Sequence, residues 1–346
     1  MKSVLNICEP VRSLLKQGFW VGFFLFQTAI AVHASHIAGG HLEMQAVKDK
    51  AYTYRFNVYF SLDELNLDMS MGVFQKETEA YLTIYRKKDN EFVQNLTLPF
   101  IESIPFIFTN ESCADKNKLD FSKRVFSKEF TLDPNKYNDP DGYYVVYGRC
   151  CRNGIIQNIT APAATGMLFY MEFPPIQLNG IPFVDSSPVF NTLNGEYLCL
   201  NEPVRFRFGA TDPDGDELRY ALATPLAGFA TPDNLYGNGS SSNYPTINWV
   251  NGIGVNNQIP GTPPLRVDAK TGVLSVTPNQ LGLFAFSIIC EEYRNGQRIG
   301  MARRDFQLLV VDCPNIRPPK PIISARGKII GKDSVELCLN ADVVLE

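Results

Sequence analysis

The chain has 346 residues, room for two or three domains, with 45% hydrophobic and 20% charged residues and a formal net charge of −4. This composition excludes a disordered tail protein, and the charge gives no electrostatic reason to expect nucleic acid as a partner. The 24 Phe, 15 Tyr, 23 Pro and 25 Gly predict strands and turns rather than long helices. Only 3 His are present, which leaves little for His-based catalysis or a zinc site, so we do not expect an enzyme.

The first 34 residues have the organisation of an export signal. Basic residues precede an apolar run from Gly18 to Val32, and Val32 and Ala34 place small residues at the −3 and −1 positions of a cleavage before Ser35. The run has about 15 residues, fewer than the roughly 20 that span a bilayer, which favours a cleaved signal over a retained anchor. We therefore expect an exported mature chain without a transmembrane segment, at the cell surface or outside the cell.

Period-2 alternation of apolar side chains predicts strands along the mature chain, most clearly at 51–62. Similar runs occur at 79–86, 91–98, 123–132, 142–149, 166–173, 204–208, 217–223, 246–250, 272–277, 283–292, 299–312 and 335–339. Asn295-Gly296 predicts a tight hairpin turn, because both residues tolerate positive φ. Prolines predict linkers at 174–188 and 314–321. The expected fold is all-β, with tandem antiparallel Ig-like or cadherin-like sandwiches at 35–178 and 183–313, and a truncated third β domain at 318–346.

The densest group of charges is the turn that contains Asp212, Asp214, Asp216 and Glu217, just after a predicted strand. These carboxylates repel one another, by about 1 kcal/mol for each close pair even in water. A hard cation that prefers several oxygen ligands would remove this repulsion, so Asp212, Asp214 and Asp216 are candidate Ca²⁺ ligands. A solvated turn between strands explains the same residues equally well, and the glycine position excludes an EF-hand loop. The segment 138–142 has a similar pattern with fewer carboxylates, and we interpret it as a simple turn.

Seven cysteines remain after removal of the signal, so disulfides are expected and one thiol is left over. Cys199 precedes the first long strand of the second domain and Cys313 ends its last one. We therefore predict a Cys199–Cys313 disulfide, with an inter-sheet Cys199–Cys290 bridge as the alternative. In the first domain Cys113 is predicted to pair with Cys150 or with its neighbour, and we choose Cys150. Neighbouring residues on a strand face opposite ways, so only one of the two suits.

Six arginines offer either a basic surface for an anionic glycan or a set of ion pairs with nearby acids. They are Arg149, Arg152, Arg294, Arg298, Arg303 and Arg304. Because Glu291, Glu292 and Asp305 lie among them in the sequence, ion pairing is the favoured interpretation.

Five short segments, in order along nearly all of 35–313, carry a family resemblance. They are Ser35-His36-Ile37-Ala38-Gly39-Gly40, Tyr143 through Asn153, Ser186-Ser187-Pro188-Val189-Phe190, Ala210 through Asp216, and Glu292 through Gly296 followed by Arg303-Arg304-Asp305-Phe306-Gln307. Together they resemble the N-terminal region of large Bacteroidota surface proteins, the gliding motility-associated or PKD-domain substrates of type IX secretion. Asp268 through Pro278 also resembles a strand-turn-strand of cadherin-like bacterial immunoglobulin modules. The resemblance implies surface display, adhesion or scaffolding, and no catalytic residue.

Two functions are therefore expected. The first is a non-enzymatic exported protein that acts in adhesion or as a structural scaffold, the N-terminal part of a larger multidomain surface protein, with a cell-surface protein or a glycan as partner. The alternative is a carbohydrate-binding module of a polysaccharide-degrading enzyme, which needs exposed Trp or Tyr platforms that stack on sugar rings. After the signal, Trp249 is the only tryptophan, and its predicted strand favours burial.

Overall fold

Alternating apolar side chains drive most of the chain into strands. The structure, a computed structural model, describes residues 37–63, 77–106, 121–192, 197–313 and three short strands beyond 313. Up to residue 190 the strands are β1 (Ile37–Ala46), β2 (Thr53–Asp63), β3 (Glu79–Arg86), β4 (Phe92–Pro105), β5 (Phe121–Thr131), β6 (Tyr143–Arg149), β7 (Met167–Phe173), β8 (Gln177–Leu178), β9 (Ile181–Pro182) and β10 (Val189–Phe190). The export signal predicted at 1–34 lies outside the described residues.

The later strands begin at residue 197 and are mostly shorter. They are β11 (Tyr197–Cys199), β12 (Val204–Arg207), β13 (Ala210–Thr211), β14 (Glu217–Leu222), β15 (Arg266–Val267), β16 (Val273–Val276), β17 (Gly282–Arg294), β18 (Gln297–Val311), β19 (Ile323–Ala325), β20 (Lys328–Gly331) and β21 (Val344–Leu345). Pro162–Ala164 and Val255–Asn257 form short 3-10 helices. The predicted all-β, largely antiparallel fold is confirmed. Within the described ranges, no helix has both the length and the apolar character that crossing a membrane requires.

The main sheet closes on itself. Its pairing order is β1-β2-β5-β4-β3-β6-β7-β18, and β18 pairs again with β1 where Gly40 lies opposite Asp305. The two halves of this ring pack face to face over aromatic side chains. Phe60 on β2, for example, contacts Tyr147 on β6 and Phe169 on β7, with ring centroids 6.4 and 6.1 Å apart. Aromatic burial of this kind is a major part of the energy of a β core.

The predicted boundary between domains 35–178 and 183–313 does not divide the core. The long strand β18 pairs with β17 along one edge and with β1 and β7 along the other. The β17–β18 hairpin uses only one of the two edges of β18, so the first half of the chain can bind to the second edge. One cluster of buried apolar residues therefore runs through both halves, in place of two separate sandwich cores.

The proline-rich segment 174–188, predicted to be a linker, is bound to the sheet. β8 and β9 form a small hairpin within it. The following residues 183–188, here called the strap, lie along β1. The Oγ atom of Ser187 accepts the N–H of Met44 at 2.9 Å, and that of Ser186 accepts the N–H of Ala46 at 3.1 Å. The backbone N–H of Ser187 also donates to Met44 O at 2.8 Å, and Pro188, which has no N–H, cannot continue this pairing.

Two other predicted segments differ from the structure or lie outside it. Residues 246–250 form no strand, because Thr246 bridges to Leu226 while Trp249 bridges to Ile159, so no single ladder extends. Beyond residue 313, β19, β20 and β21 form a separate three-stranded sheet within the range predicted for a third domain. The linker at 314–321 and the strand predicted at 335–339 lie outside the described residues.

Candidate functional site

The acidic turn is organised by Asp212, which follows β13. Its Oδ1 accepts the backbone N–H groups of Asp214 and Asp216, both at 2.9 Å. Gly215 has a φ of +84°, a backbone conformation that favours glycine, and this lets the chain reverse before β14. Asp212 thus uses one carboxylate oxygen to hold the turn, while its Oδ2 remains for another partner.

A second acid enters the site from β17. Alternation along this strand places Glu292 on the same face as the buried residues Ile288 and Cys290, and its side chain is only 1% exposed. A β-bulge separates Glu292 from Tyr293. Gly300 lies opposite Glu292 on β18 and has no side chain that would displace the carboxylate. The sequence signal for Glu292 was a carboxylate at a core-facing position, and the sequence prediction missed it.

Together with the turn and Glu292, Asp185 completes a group of carboxylates that is here called the acidic cluster: Asp185, Asp212, Asp214, Asp216 and Glu292. Arg294 binds the carboxylates on one side of this cluster. Its Nε and Nη2 donate to both oxygens of Asp216, at 2.8 and 2.6 Å, and Nη2 also donates to Asp185 Oδ1 at 2.7 Å. Nη1 donates to Val184 O at 2.9 Å, and the guanidinium lies over the ring of Phe183, 5.0 Å from its centroid. The guanidinium therefore connects β17, the turn and the strap. Asp185 is a site residue that the sequence analysis did not identify, because it placed residues 174–188 in a linker.

The structure divides the three predicted Ca²⁺ ligands between two groups. Asp214 lies with Asp185 and Asp216 near Arg294, and it accepts the N–H of Ser186. Asp212 lies with Asp216 and Glu292, and one oxygen from each of these three falls within 4.8 Å of the others. The predicted trio is therefore not one ligand set, because Asp214 points to the strap and Glu292 takes its place beside Asp212.

Three carboxylate oxygens of the cluster are buried without a hydrogen-bond donor among the described residues. They are Asp185 Oδ2, Asp212 Oδ2 and Glu292 Oε1. Burial raises the pKa of Glu292 far above its usual range, and the nearby carboxylates of Asp185 and Asp212 raise it further. Burial also raises the pKa of Asp185, although Arg294 opposes that change. Buried like charges of this kind need a proton or a cation between them.

The structure contains the predicted disulfide between Cys199 and Cys313. β11 runs parallel to the end of β18, which brings the two Cα atoms to 5.3 Å. The Cys113–Cys150 prediction is wrong, because Cys150 is bonded to Cys151. Both residues follow the end of β6, so strand alternation does not separate their side chains. Cys113 lies outside the described residues, and Cys290 is a buried free thiol.

Most of the six arginines form ion pairs, as the sequence interpretation favoured. The pairs are Arg149 with Glu77, Arg152 with Asp305, Arg294 with Asp185 and Asp216, and Arg298 with Glu172 and Glu291. The other two donate to backbone carbonyls, Arg303 to Thr224 O and Arg304 to Asn191 O. Arg149 and Arg152 are fully buried, and Arg294 and Arg298 are partly exposed but paired with carboxylates, so these four guanidiniums do not form an uncompensated basic surface.

No family model matches the chain, and no curated protein matches it either.

Proposed function

We propose that this chain is a non-enzymatic exported protein of the cell surface, acting as a scaffold or in adhesion, and that a bound Ca²⁺ stiffens it. The signal-like N-terminus, the all-β fold and the resemblance to Bacteroidota surface proteins support display outside the cell. Asp212, Asp216 and Glu292 are the proposed ligands. A surface scaffold of this kind transmits force through packed sheets, so a cation that fastens separate segments together serves that role.

The observation that carries the proposal is the donor-free pair of buried oxygens, Asp212 Oδ2 and Glu292 Oε1. Ca²⁺ binds carboxylate oxygens and tolerates irregular geometry, so it suits a turn carboxylate beside a strand carboxylate. The cation would hold the turn against β17. Through Asp216, Arg294 and Asp185, the same network continues into the strap on β1. One ion would therefore fasten elements from both halves of the chain.

A shared proton between Asp212 and Glu292 would satisfy the same two oxygens, and the variant Glu292→Gln distinguishes it from a cation. The Gln amide can donate a hydrogen bond to Asp212 as a protonated Glu292 would. It removes one negative charge from the ligand set, however, and so weakens cation binding. A protonated pair predicts that Glu292→Gln leaves the melting temperature unchanged with or without Ca²⁺.

The experiment is thermal unfolding of the mature chain in chelator, in Ca²⁺ and in Mg²⁺. Chelator should lower the melting temperature and Ca²⁺ should restore it, since binding to the folded state stabilises by about 2.7 kcal/mol at a hundredfold excess over Kd. Glu292→Gln should abolish this response. Asp141→Asn, in the exposed acidic turn at 138–142, is the matched control and should keep it. An identical melting curve with and without chelator would falsify the Ca²⁺ site.

A carbohydrate-binding module is the second candidate, because two partly exposed tyrosines contact each other edge to face at the surface. Tyr81 on β3 is 45% exposed and Tyr236 is 40% exposed, with ring centroids 6.1 Å apart. Exposed rings of this kind can stack on sugars. A glycan array with the mature chain tests this function. Binding to one polysaccharide class that is lost in Tyr81→Ala/Tyr236→Ala, and kept in the control Ile181→Ala, would favour the module over the scaffold.

A further inference from the structure

A second site, independent of the acidic cluster, lies where β1, β2, β5 and β18 meet residues 189–192. It is a cavity of about 130 Å³. Its polar wall is formed by His41, Glu43, Lys123, Asn191 and Arg304, and its apolar wall by Phe106, Phe190 and Phe306. The cavity combines two cationic side chains with aromatic rings inside the fold.

Arg304 is the most unusual group in this wall. It is only 4% exposed, yet it has no carboxylate within ion-pair distance in the part of the chain that the structure describes. Nη1 donates to Asn191 O at 2.9 Å, and the guanidinium lies over the rings of Phe190 and Phe208. No other acceptor is present for its remaining N–H groups among the described residues. Burial lowers the pKa of Arg304 to about 9, although the nearby carboxylate of Glu43 opposes this change.

Lys123 on β5 adds a second cation at the same wall. Its Nζ lies 5.1 Å from the centroid of the Tyr59 ring, and within the described ranges it forms no ion pair. Two acids, Glu43 and Asp305, also line the cavity. Glu43 Oε1 accepts the N–H of Phe190 at 3.2 Å and lies 3.2 Å from His41 Nε2. Asp305 is bound by Arg152, which leaves the single carboxylate of Glu43 facing the two cations Arg304 and Lys123 in the wall of the cavity.

We propose that this cavity binds a small organic carboxylate, with Arg304 and Lys123 as its anchors. The planar guanidinium fork matches the two oxygens of a carboxylate, and the lysine adds a point charge. The phenylalanine rings would contact the apolar body of the ligand. The volume approaches the roughly 150 Å³ of a cavity that holds benzene, which limits the buried part of the ligand to about six heavy atoms.

The carboxylate has two possible sources, a free organic acid or the acid group of a uronic sugar. Propionate and galacturonate represent them as probes, and propionamide is the uncharged control of the same shape as propionate. Binding to the mature chain is measured by ligand-observed NMR and by thermal shift. We expect saturable binding of a carboxylate and none of propionamide. Tighter binding of galacturonate would assign the sugar source, and tighter binding of propionate the free acid.

Three variants locate the binding. Arg304→Gln and Lys123→Gln should each weaken carboxylate affinity at least tenfold, a loss of about 1.4 kcal/mol or more. Arg303→Gln is the matched control, because Arg303 faces the other side of β18 and donates to Thr224 O. Lys123 is only half-buried, so we expect Lys123→Gln to fold. This variant therefore still tests the site if Arg304→Gln does not fold.

Three results would overturn the proposal: no saturable binding of either carboxylate, equal binding of propionamide, or unchanged affinity in Lys123→Gln and Arg304→Gln. Sulfate that binds as tightly as propionate would also overturn it, because a general anion site does not need the planar fork. None of these outcomes depends on Ca²⁺, so the experiments on this cavity and those on the acidic cluster test two independent proposals.

Discussion

The guanidinium of Arg152 donates two hydrogen bonds to the carboxylate of Asp305, at 3.1 and 2.6 Å, although the residues are 153 positions apart. Both side chains are buried. Arg152 also donates to Gly166 O and Leu226 O, so it connects β18 with the entry to β7 and with the loop after β14. This ion pair crosses the boundary at which the sequence predicted two separate domains.

We therefore expect Asp305→Asn to destabilise the whole described core. Removing one partner leaves the buried Arg152 charge uncompensated, at a cost of about 3–5 kcal/mol. Because the pair links both halves of the chain, fluorescence and circular dichroism should report one shared urea transition at a lower midpoint. Glu129→Gln, which removes a solvated partner of Lys50 and Arg55, is the control and should shift the urea midpoint much less than Asp305→Asn. Two separate transitions would contradict the shared core.

The Cys199–Cys313 disulfide gives a second prediction about stability. Its two ends are 114 residues apart, so chain entropy predicts a loss of about 4–5 kcal/mol, as an upper bound, when Cys313→Ala opens it. Reductant should lower the unfolding free energy of the wild type by opening this disulfide. Cys313→Ala lacks the disulfide and should not show this loss. Cys290→Ala is the control, because its thiol is free. Non-reducing peptide mapping checks the pairing, and a Cys199–Cys290 peptide would refute it.

The hairpin turn between β17 and β18 gives a third prediction. Arg294 pairs with Gln297, and the two turn residues Asn295 and Gly296 have φ values of +53° and +78°. Gly296→Ala should cost about 1 kcal/mol, because an L side chain disfavours this conformation even where space is open. Gly254→Ala is the control, since Gly254 has an extended backbone. Equal unfolding free energies for both variants would contradict the assigned turn.

Local features of the fold were predictable from the sequence, and this turn shows why. Asn-Gly specifies its conformation through the backbone of two residues, and alternation specifies strands such as β3, whose predicted bounds 79–86 are those observed. The shared role of β18 was not predictable in this way. Alternation reports which face of a strand is buried, but not which neighbours bind its two edges.

The acidic cluster illustrates the same limit. The turn was visible because its charges are adjacent in sequence, whereas Asp185 and Glu292 reach it from distant segments. Glu292 carried a usable signal, a charged residue in phase with buried ones on β17. Asp185 carried none, because its segment is held by serine side chains and by Arg294 rather than by a strand pattern.

The last prediction concerns acid stability and His41 on β1. Burial lowers the pKa of His41 to about 4, and the positive charges of Arg304 and Lys123 oppose its protonation, while Glu43 favours it. The unfolded chain therefore binds this proton from about pH 6.5 downward and the folded chain only near pH 4. The stabilising effect of the depressed pKa is complete above pH 6.5 and is lost as the pH falls towards 4.

His41→Gln isolates this effect, because its amide can still donate a hydrogen bond to Glu43 but does not titrate. Between pH 7 and pH 4 the wild type should lose up to about 3 kcal/mol more unfolding free energy than the variant. The difference between the unfolding free energies of the two proteins at each pH removes the contribution of titrating groups remote from His41. Parallel pH profiles for the two proteins would show that His41 has the same pKa in the folded and unfolded chains, and would contradict its burial between Glu43 and Arg304.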